Sequence, residues 1–395
     1  MNKYKTYLAG LLLLAALGVQ AQGHIDDVLK SIENNNKSLS ANRQLTDAQQ
    51  LEARTGNYLS NPSVELEKMW GEGKDAGSEY TLTVSQSLDF PTTYARKNKL
   101  AELKTTTFDY QFAAFRQQVL LTAKQKCIEI IYLRKQKKLL TERLENAREM
   151  CALYDKRLKT GDANQLEVNK VHLEHLNAEN QSRLNTAALD AAIEQLQNLN
   201  GGQPIDFADT DFQLLPNLEP FEQIYSEFMS LDPGMKNLTG AQQIAEQEVK
   251  VNRSLSLPKF GIGYKRGGSS DGAASNGFTI GVSVPLFENK NTVKKAKAQA
   301  AFATATLEEN QLNLRTNLKQ LYQQAEALKH SLDEYAKALK QQRNIQLLNK
   351  ARDAGQLSVI DYFIEVASIY DSWQTYLDVE RNYHDILAQL YQYKL

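Results

Sequence analysis

The sequence predicts a mainly α-helical fold with a minor β component, built as one unit of helix, β-hairpin, long helix and returning helix that is used twice. Three observations predict it. Two stretches of 69 residues each, Thr92–Thr160 and Leu286–Ala354, contain neither Gly nor Pro, and each stops at a glycine, Gly161 and Gly355. At about 1.5 Å per residue each reads as a rod of roughly 100 Å, more than a globular core needs. A pair of alternating apolar and polar segments precedes each rod, the period-2 signature of strands. Landmarks also repeat in order: Pro62 with Pro258, Val84-Ser85 with Val282-Ser283, and Gly161 with Gly355, at offsets of 196, 198 and 194. Three landmarks in order with equal rods between them indicate a duplication.

At the N-terminus, Lys3 and Lys5 precede the apolar run Leu8–Val19, and Val19-Gln20-Ala21 fits a small-residue cleavage site. Residues 1–21 therefore read as a signal peptide, the run being short for a membrane-spanning helix. No Cys follows the cleavage site, so no lipid attachment is expected there. Residues 22–200 form the first repeat. Its opening helix, from Ile25 to Tyr58, has Ile25, Val28, Leu29 and Ile32 on one face and a break at Asn34–Asn36; Asn61-Pro62 ends it. The first hairpin covers about 62–90, with a turn at Gly71–Ser78. The first rod follows, then the turn at about 161, then a helix from Gln165 to Leu199. Gly201, Gly202, Pro204, Pro216 and Pro220 mark an irregular connection over 201–220.

The second repeat, 221–395, opens with helices over Phe221–Met229 and Pro233–Ser254. Its hairpin covers about 258–286 with a turn at Gly267–Gly277, and its turn at about 355 leads to a last helix over Val359–Tyr393. Within the second rod Leu314, Leu318, Leu321, Ala325, Leu328, Leu332, Tyr335 and Leu339 recur at alternating spacings of four and three, a heptad seam. The first rod carries the same pattern in Leu140, Leu144, Ala147, Cys151, Tyr154 and Leu158. No linker rich in Pro, Gly or Ser separates autonomous blocks, and the chain reads as one elongated unit.

The hairpins carry the functional information. Val64, Leu66, Tyr80, Leu82 and Val84 face one way in the first; Phe260, Ile262, Tyr264, Phe278, Ile280, Val282 and Val284 do so in the second, against Ser, Thr and Gly on the other side. Four strands cannot close a barrel, and an open edge in lipid leaves backbone donors and acceptors unpaired, so several chains are expected to share one barrel with these residues facing lipid. Trp70, Tyr80, Tyr264 and Phe278 are expected near the strand ends as an aromatic girdle. A water-soluble sheet using the apolar side as its core is the competing reading.

The order of signal peptide, helix, Asn61-Pro62 hairpin, rod, Gly161 turn, second hairpin ending in Val284-Pro285-Leu286-Phe287, rod and Gly355 turn resembles the TolC-like outer-membrane efflux family over essentially the whole mature chain. The resemblance implies a homotrimer whose 12 strands form one outer-membrane β-barrel, continued by a periplasmic α-helical barrel. It implies docking of a periplasmic adaptor (membrane fusion protein) at the helical turns and coupling to an inner-membrane pump of the RND type, with small toxic compounds or metal cations exported. Gly161, Gly355, Leu357 and Ser358 would form the docking turns. In the family an acid commonly follows each turn glycine by six positions and constricts the tunnel mouth; here these are Glu167 and Asp361. Arg352, Asp353 and Asp162 are further gate candidates. The basic residue often found two after the second glycine is Leu357 here, and the further acid nine after it is Ile364. Read from the residues alone, Glu167 and Asp361 equally suit the first turn of a helix, where acids complement the dipole.

Other classes find little support. With 46 basic and 47 acidic residues there is no charge excess to favour nucleic acid. No P-loop or HExxH occurs, and no enzyme or cofactor is expected. His172, Glu174 and His175 have helical spacing, but without an identifiable third ligand a solvated face is the stronger reading, and no metal is expected. Cys127 and Cys151 lie on one helix about 36 Å apart, too far for a disulfide. Cys151 reads as a small buried apolar residue on its seam. The alternative function is a periplasmic coiled-coil scaffold with no transport role; a solute-binding protein would need two α/β lobes that the sequence does not offer.

Overall fold

The computed structural model describes residues 24–72, 77–212, 218–340 and 344–395. The expected signal peptide, residues 73–76 of the first hairpin turn, residues 213–217 of the connection and residues 341–343 of the expected second rod lie outside these. The elements follow the expected order: α1 (Ile25–Asn35), α2 (Lys37–Arg54), β1 (Ser63–Trp70), β2 (Ser78–Leu88), α3 (Pro91–Thr160), α4 (Gln165–Leu199), α5 (Phe221–Leu231) and α6 (Pro233–Ser254). The second half continues with β3 (Lys259–Ser269), β4 (Ala274–Ser283), α7 (Thr292–Lys340), α8 (Asn344–Asp353), α9 (Val359–Leu390) and a short 3₁₀ turn at Gln392–Lys394. Among the described residues no helix is long and apolar enough to cross a membrane.

The first rod is one helix of 70 residues. The second starts later than the sequence suggested. Residues 284–291 are irregular, and α7 begins at Thr292, six residues after Leu286. The reason is local. Asn291 adopts a left-handed φ of 67°, which Asn tolerates better than most residues, and the Asn289 side chain donates to the Leu255 carbonyl at 2.6 Å, holding the segment out of a helix. Asn36 likewise separates α1 from α2, and its side chain donates to the Leu199 carbonyl.

The chain divides into two compact units that cut across the repeats rather than following them. One comprises Met1–Lys37, Leu120–Asn217 and Ala325–Ala388. Among its described residues helices are the only regular elements, and every heptad-seam residue of the first rod is buried or half-buried. The other comprises Ser38–Val119, Leu218–Gln324 and Gln389–Leu395 and holds the sheet. There α6 is capped by the buried Asp232, which accepts from the Met235 N–H at 2.9 Å and from the Gln117 side chain at 3.0 Å. Phe228 of α5 packs edge-on against Tyr393 at 5.5 Å. Across the second seam, from Leu314 to Leu339, every named position is buried or half-buried while most positions between are exposed, the knob spacing the sequence predicts.

The two hairpins join into one antiparallel sheet of order β1-β2-β3-β4, with β2 pairing β3. The strands run further than the sequence reading allowed. Lys265 pairs with Gly277, Gly267 with Ser275 and Gly268 with Ala274, so most of the Gly/Ser stretch taken as a turn is paired strand. At Gly268 the missing side chain is used for packing: a Cβ there would lie within 2.7 Å of the Tyr80 ring.

Candidate functional sites: the open sheet and the helical turns

The sheet register places the apolar residues predicted to face lipid on one face, together with Gln86, Arg266 and Asn276, while Met69 falls on the other. Val64, Val84, Tyr264 and Phe278 form one cross-strand row; Leu66 and Leu82 extend it one way, and Ile262 with Ile280 and Phe260 with Val282 extend it the other. The opposite face carries Ser63, Ser85, Gly263 and Thr279, then Glu65, Thr83 and Lys265. Among the described residues nothing covers the apolar face of the outer strands: Phe278 is 87% and Ile280 80% exposed, and every residue of β1 and β4 is exposed. These two strands also present open hydrogen-bonding edges. The apolar side is thus not the core of a small soluble sheet within this chain.

The aromatic residues distribute differently from the expected girdle. Tyr264 and Phe278 lie at mid-strand, directly opposed with ring centroids 5.6 Å apart, because β3 and β4 extend beyond them into the glycine-rich segment. Trp70 and Tyr80 do lie near strand ends, and Phe260 approaches Phe90 at 6.1 Å at the other end of the sheet.

The two helical turns, both in the helical unit, repeat one another bond for bond. Gly161 and Gly355 have φ of 79° and 73°. In each the residue after the glycine donates back across the last turn: Asp162 to the Arg157 carbonyl and Gln356 to the Ala351 carbonyl, both at 2.8 Å. The glycine N–H groups donate to Leu158 and Arg352 in the same pattern, the Schellman closure that leaves the last residue in a left-handed conformation and so selects glycine.

The returning helices start alike too. Asn164 accepts from the Glu167 N–H at 3.0 Å while the Glu167 carboxylate accepts from the Asn164 N–H at 2.9 Å. The Ser358 hydroxyl accepts from the Asp361 N–H at 3.1 Å and donates to the Asp361 carboxylate at 2.6 Å. Both predicted gate acids therefore occupy the third helical position, facing the positive end of the helix dipole; the Glu167 carboxylate takes up an otherwise orphaned amide, while that of Asp361 holds the capping hydroxyl of Ser358. Just before each acid stands an exposed apolar residue, Leu166 at 81% and Ile360 at 52%.

Of the other candidates, Asp162 accepts from the Thr160 hydroxyl at 2.6 Å, while Leu357 is half-buried and Ser358 exposed. Arg352 turns inward. Its side chain is 12% exposed, contacts the Asp353 carboxylate at 2.8 Å, lies 5.0 Å over the Tyr362 ring and approaches the Met150 sulfur at 2.7 Å. The structure thus brings Arg352 to Asp353 and to the core beneath the turns. That core consists of Met150, Tyr154, Val168, Val171, Val359, Tyr362, Phe363, Val366 and Tyr370, drawn from both helical pairs. Tyr362 is fully buried, and its hydroxyl is bonded to the side chains of Asn146 and Asn349 at 2.9 and 2.7 Å. Burial raises the Tyr362 phenol and pushes that of Tyr370 up to about 12, so both stay neutral. This core was not singled out in the sequence, although Met150 and Tyr154 flank the seam position Cys151.

The three residues weighed as metal ligands part company. Glu174 is engaged by Arg143 at 2.7 and 3.0 Å, whereas His172 turns to α3, with Nε2 3.0 Å from Asp155 Oδ1 and Nδ1 3.9 Å from Cys151 Sγ.

With this geometry in hand, comparison with known proteins is informative. A family profile described as outer membrane efflux protein matches residues 224–393, most of the second repeat. No curated protein sequence matches the chain. Among solved structures, CusC, described in terms of folding and transmembrane channel formation, superposes with a TM-score of 0.76 at 16% identity over 94% of this chain and 92% of its own. The outer membrane protein VceC of Vibrio cholerae gives 0.76 at 12% identity over 93% of this chain and 94% of its own. The open-state outer membrane channel MtrE of Neisseria gonorrhoeae gives 0.70 at 14% over 93% and 88%. VceC and MtrE are described as outer-membrane proteins, the location expected for this chain. The second repeat thus carries the outer membrane efflux protein signature, and the chain as a whole has the TolC-like fold of outer-membrane channels.

Proposed function

We propose that three copies of this chain join their sheets into one 12-stranded outer-membrane barrel and act as the passive exit duct of a tripartite efflux system. The observation that carries this reading is the sheet. A mainly apolar face from Leu66 to Val282, interrupted by Gln86, Arg266 and Asn276, lies exposed between two open edges, and both problems are solved together if the face meets lipid and each edge pairs with a neighbouring copy. The polar face of Ser, Thr and Gly then lines a wet lumen.

The helical turns support the other half of the reading. Their duplicated geometry offers a periplasmic adaptor two similar edges, built on Gly161 and on Gly355, Leu357 and Ser358, with Leu166 and Ile360 as exposed apolar anchors. The adaptor would couple the duct to an inner-membrane pump, of the RND type by the resemblance, and the cargo would be small toxic compounds or metal cations. Three copies of the exposed Asp361 about a symmetry axis would repel one another and attract cations, giving the mouth a charge-sensitive constriction to which Glu167, Asp162 and Asp353 add. Arg352, already paired with Asp353, would hold the turn in place instead of bridging subunits.

The test is fractionation of the full-length protein. Heat-modifiable trimers that require detergent and sediment with outer membranes are the expected result. A wash-soluble monomer would remove the duct and leave the periplasmic coiled-coil scaffold.

A further inference from the structure

The Cys151–His172 pair lies on the α3–α4 hairpin. Cys151 precedes the Gly161 turn by ten residues and His172 follows it by eleven, which sets them level on the two helices roughly 15 Å from the turn. The thiol is half-buried and approaches only soft or weak partners, the Val171 carbonyl at 3.7 Å and His172 Nδ1 at 3.9 Å. On the far side of the imidazole, Asp155 Oδ1 lies 3.0 Å from Nε2. A carboxylate there holds the ring proton on Nε2, which leaves the Nδ1 lone pair directed at the sulfur. Carboxylate, imidazole and thiol thus stand in the order found around a metal ion: an orienting group, a nitrogen ligand and a sulfur ligand.

We infer that Cys151 and His172 form a two-coordinate site for a soft d¹⁰ cation, with Ag(I) as its simplest probe and Asp155 as the residue that orients the imidazole. The ligand set decides the metal class. Zinc-length bonds of about 2.3 Å to sulfur and about 2.0 Å to nitrogen would already set a linearly bridged pair roughly 4.3 Å apart, and the larger Ag(I) needs more, so the pair must open from 3.9 Å by about half an ångström or more. Zinc would need four ligands, and among the described residues no group of three or more His, Cys, Asp or Glu side chains surrounds a common centre. Asp155 cannot serve as the third, since it is engaged on the opposite ring nitrogen. Thiolate and imidazole together suit soft cations that accept two ligands.

Binding is a proton-for-metal exchange. The Cys151 S–H bond breaks, its proton goes to solvent, and sulfur–metal and nitrogen–metal bonds form with no change of oxidation state, so affinity falls as pH falls. The bound ion would cross-link α3 to α4 below the turn. The site does not depend on the proposed duct and would form in a monomer or a trimer. His172 and Asp155 are each about half exposed, which gives an ion access from solvent. Cys127, the only other cysteine, is fully buried and serves as an internal control.

The experiment is a competition titration of the purified, detergent-solubilised protein with Ag(I) nitrate in chloride-free buffer, combined with X-ray absorption spectroscopy at the silver edge. One Ag(I) per protomer is expected, with one sulfur and one nitrogen in its shell. Cys151→Ser should abolish the site. His172→Ala should lower affinity at least tenfold and remove the nitrogen, while Asp155→Asn should lower it by about 10–100-fold with both ligands retained. A solitary thiol also binds silver, so His172 is the decisive position. A sulfur-only shell in the unsubstituted protein, or equal affinities for it and His172→Ala, would overturn the site. Unchanged helical circular dichroism in all three variants guards against unfolding as the cause of any loss.

Discussion

Replacing Ile280 with arginine separates a lipid-facing sheet from a water-facing one. Ile280 lies in the middle of β4, opposite Ile262, and is 80% exposed in the single chain. If water covers that face, the substitution breaks no packing and stability should change by no more than about 0.5 kcal/mol. If lipid covers it, arginine at the bilayer midplane costs about 2–4 kcal/mol per protomer. With three copies in one barrel the total is roughly 6–12 kcal/mol, comparable to the whole stability of a typical domain. Thr279→Arg provides the control at the same height on the opposite face, where a wet lumen tolerates charge. The assay is the amount of heat-resistant trimer recovered from outer membranes, followed by its denaturant midpoint in detergent. Ile280→Arg should lose most of the trimer while Thr279→Arg keeps it. Equal trimer yields and midpoints for the two would refute the lipid-facing assignment.

Three further outcomes are expected. Gly355→Ala should destabilise the α8–α9 turn by about 1–2 kcal/mol through backbone conformation alone, since a Cβ there meets nothing within 4 Å; hydrogen exchange of the turn amides reads this directly. Ser358→Ala removes the α9 cap and should cost about 1 kcal/mol by chemical unfolding, whereas Asp361→Asn should also change single-channel conductance and cation block; an unchanged channel would remove the gate role. Asp385 supplies a pH dependence. Burial lifts its carboxyl to about 6 from the ordinary 3.8, with Glu129 adding to the rise and Arg381 and Lys126 opposing it. The native state therefore holds a proton that the unfolded chain has lost, so stability falls as pH rises between about 4 and 6, with the full penalty above that window. Unfolding midpoints across that range should show this slope in the unsubstituted protein and a shallower one in Asp385→Asn.

What could be read from the sequence followed the strength of local signals. The heptad from Leu314 to Leu339 and the glycines at 161 and 355 have immediate physical consequences, a buried seam and a left-handed residue, and both are found in place. The start of α7 was missed because Glu288–Asn291 contains no Gly or Pro; what stops a helix there is the Asn289 side chain reaching Leu255, a contact 34 residues away in sequence. The length of β3 and β4 was missed for the opposite reason. Gly267, Gly268 and Gly277 were read as turn formers, whereas Gly268 is in a strand because the Tyr80 ring occupies the space of its side chain. Among the site residues, types and spacing located Glu167 and Asp361 but not the capping bonds they make, and nothing local foretold that Arg352 would fold inward onto Tyr362. The pairing of Cys151 with His172 was accessible in principle, since their near-equal separations from Gly161 place them level on an antiparallel helical pair.

Closure of one barrel by several copies is tested most directly by cross-linking its seams. In a Cys151→Ser background, single cysteines scanned along β1 at Val64, Leu66 and Lys68 are paired with single cysteines along β4 at Phe278, Ile280 and Val282, and membranes are treated with a mild oxidant. A closed trimer brings β4 of each copy beside β1 of the next, so at least one pair should give a covalent trimer on a denaturing gel, with dimers as intermediates. Monomers at every pair, from a protein that remains in the membrane and folded, would contradict the shared barrel.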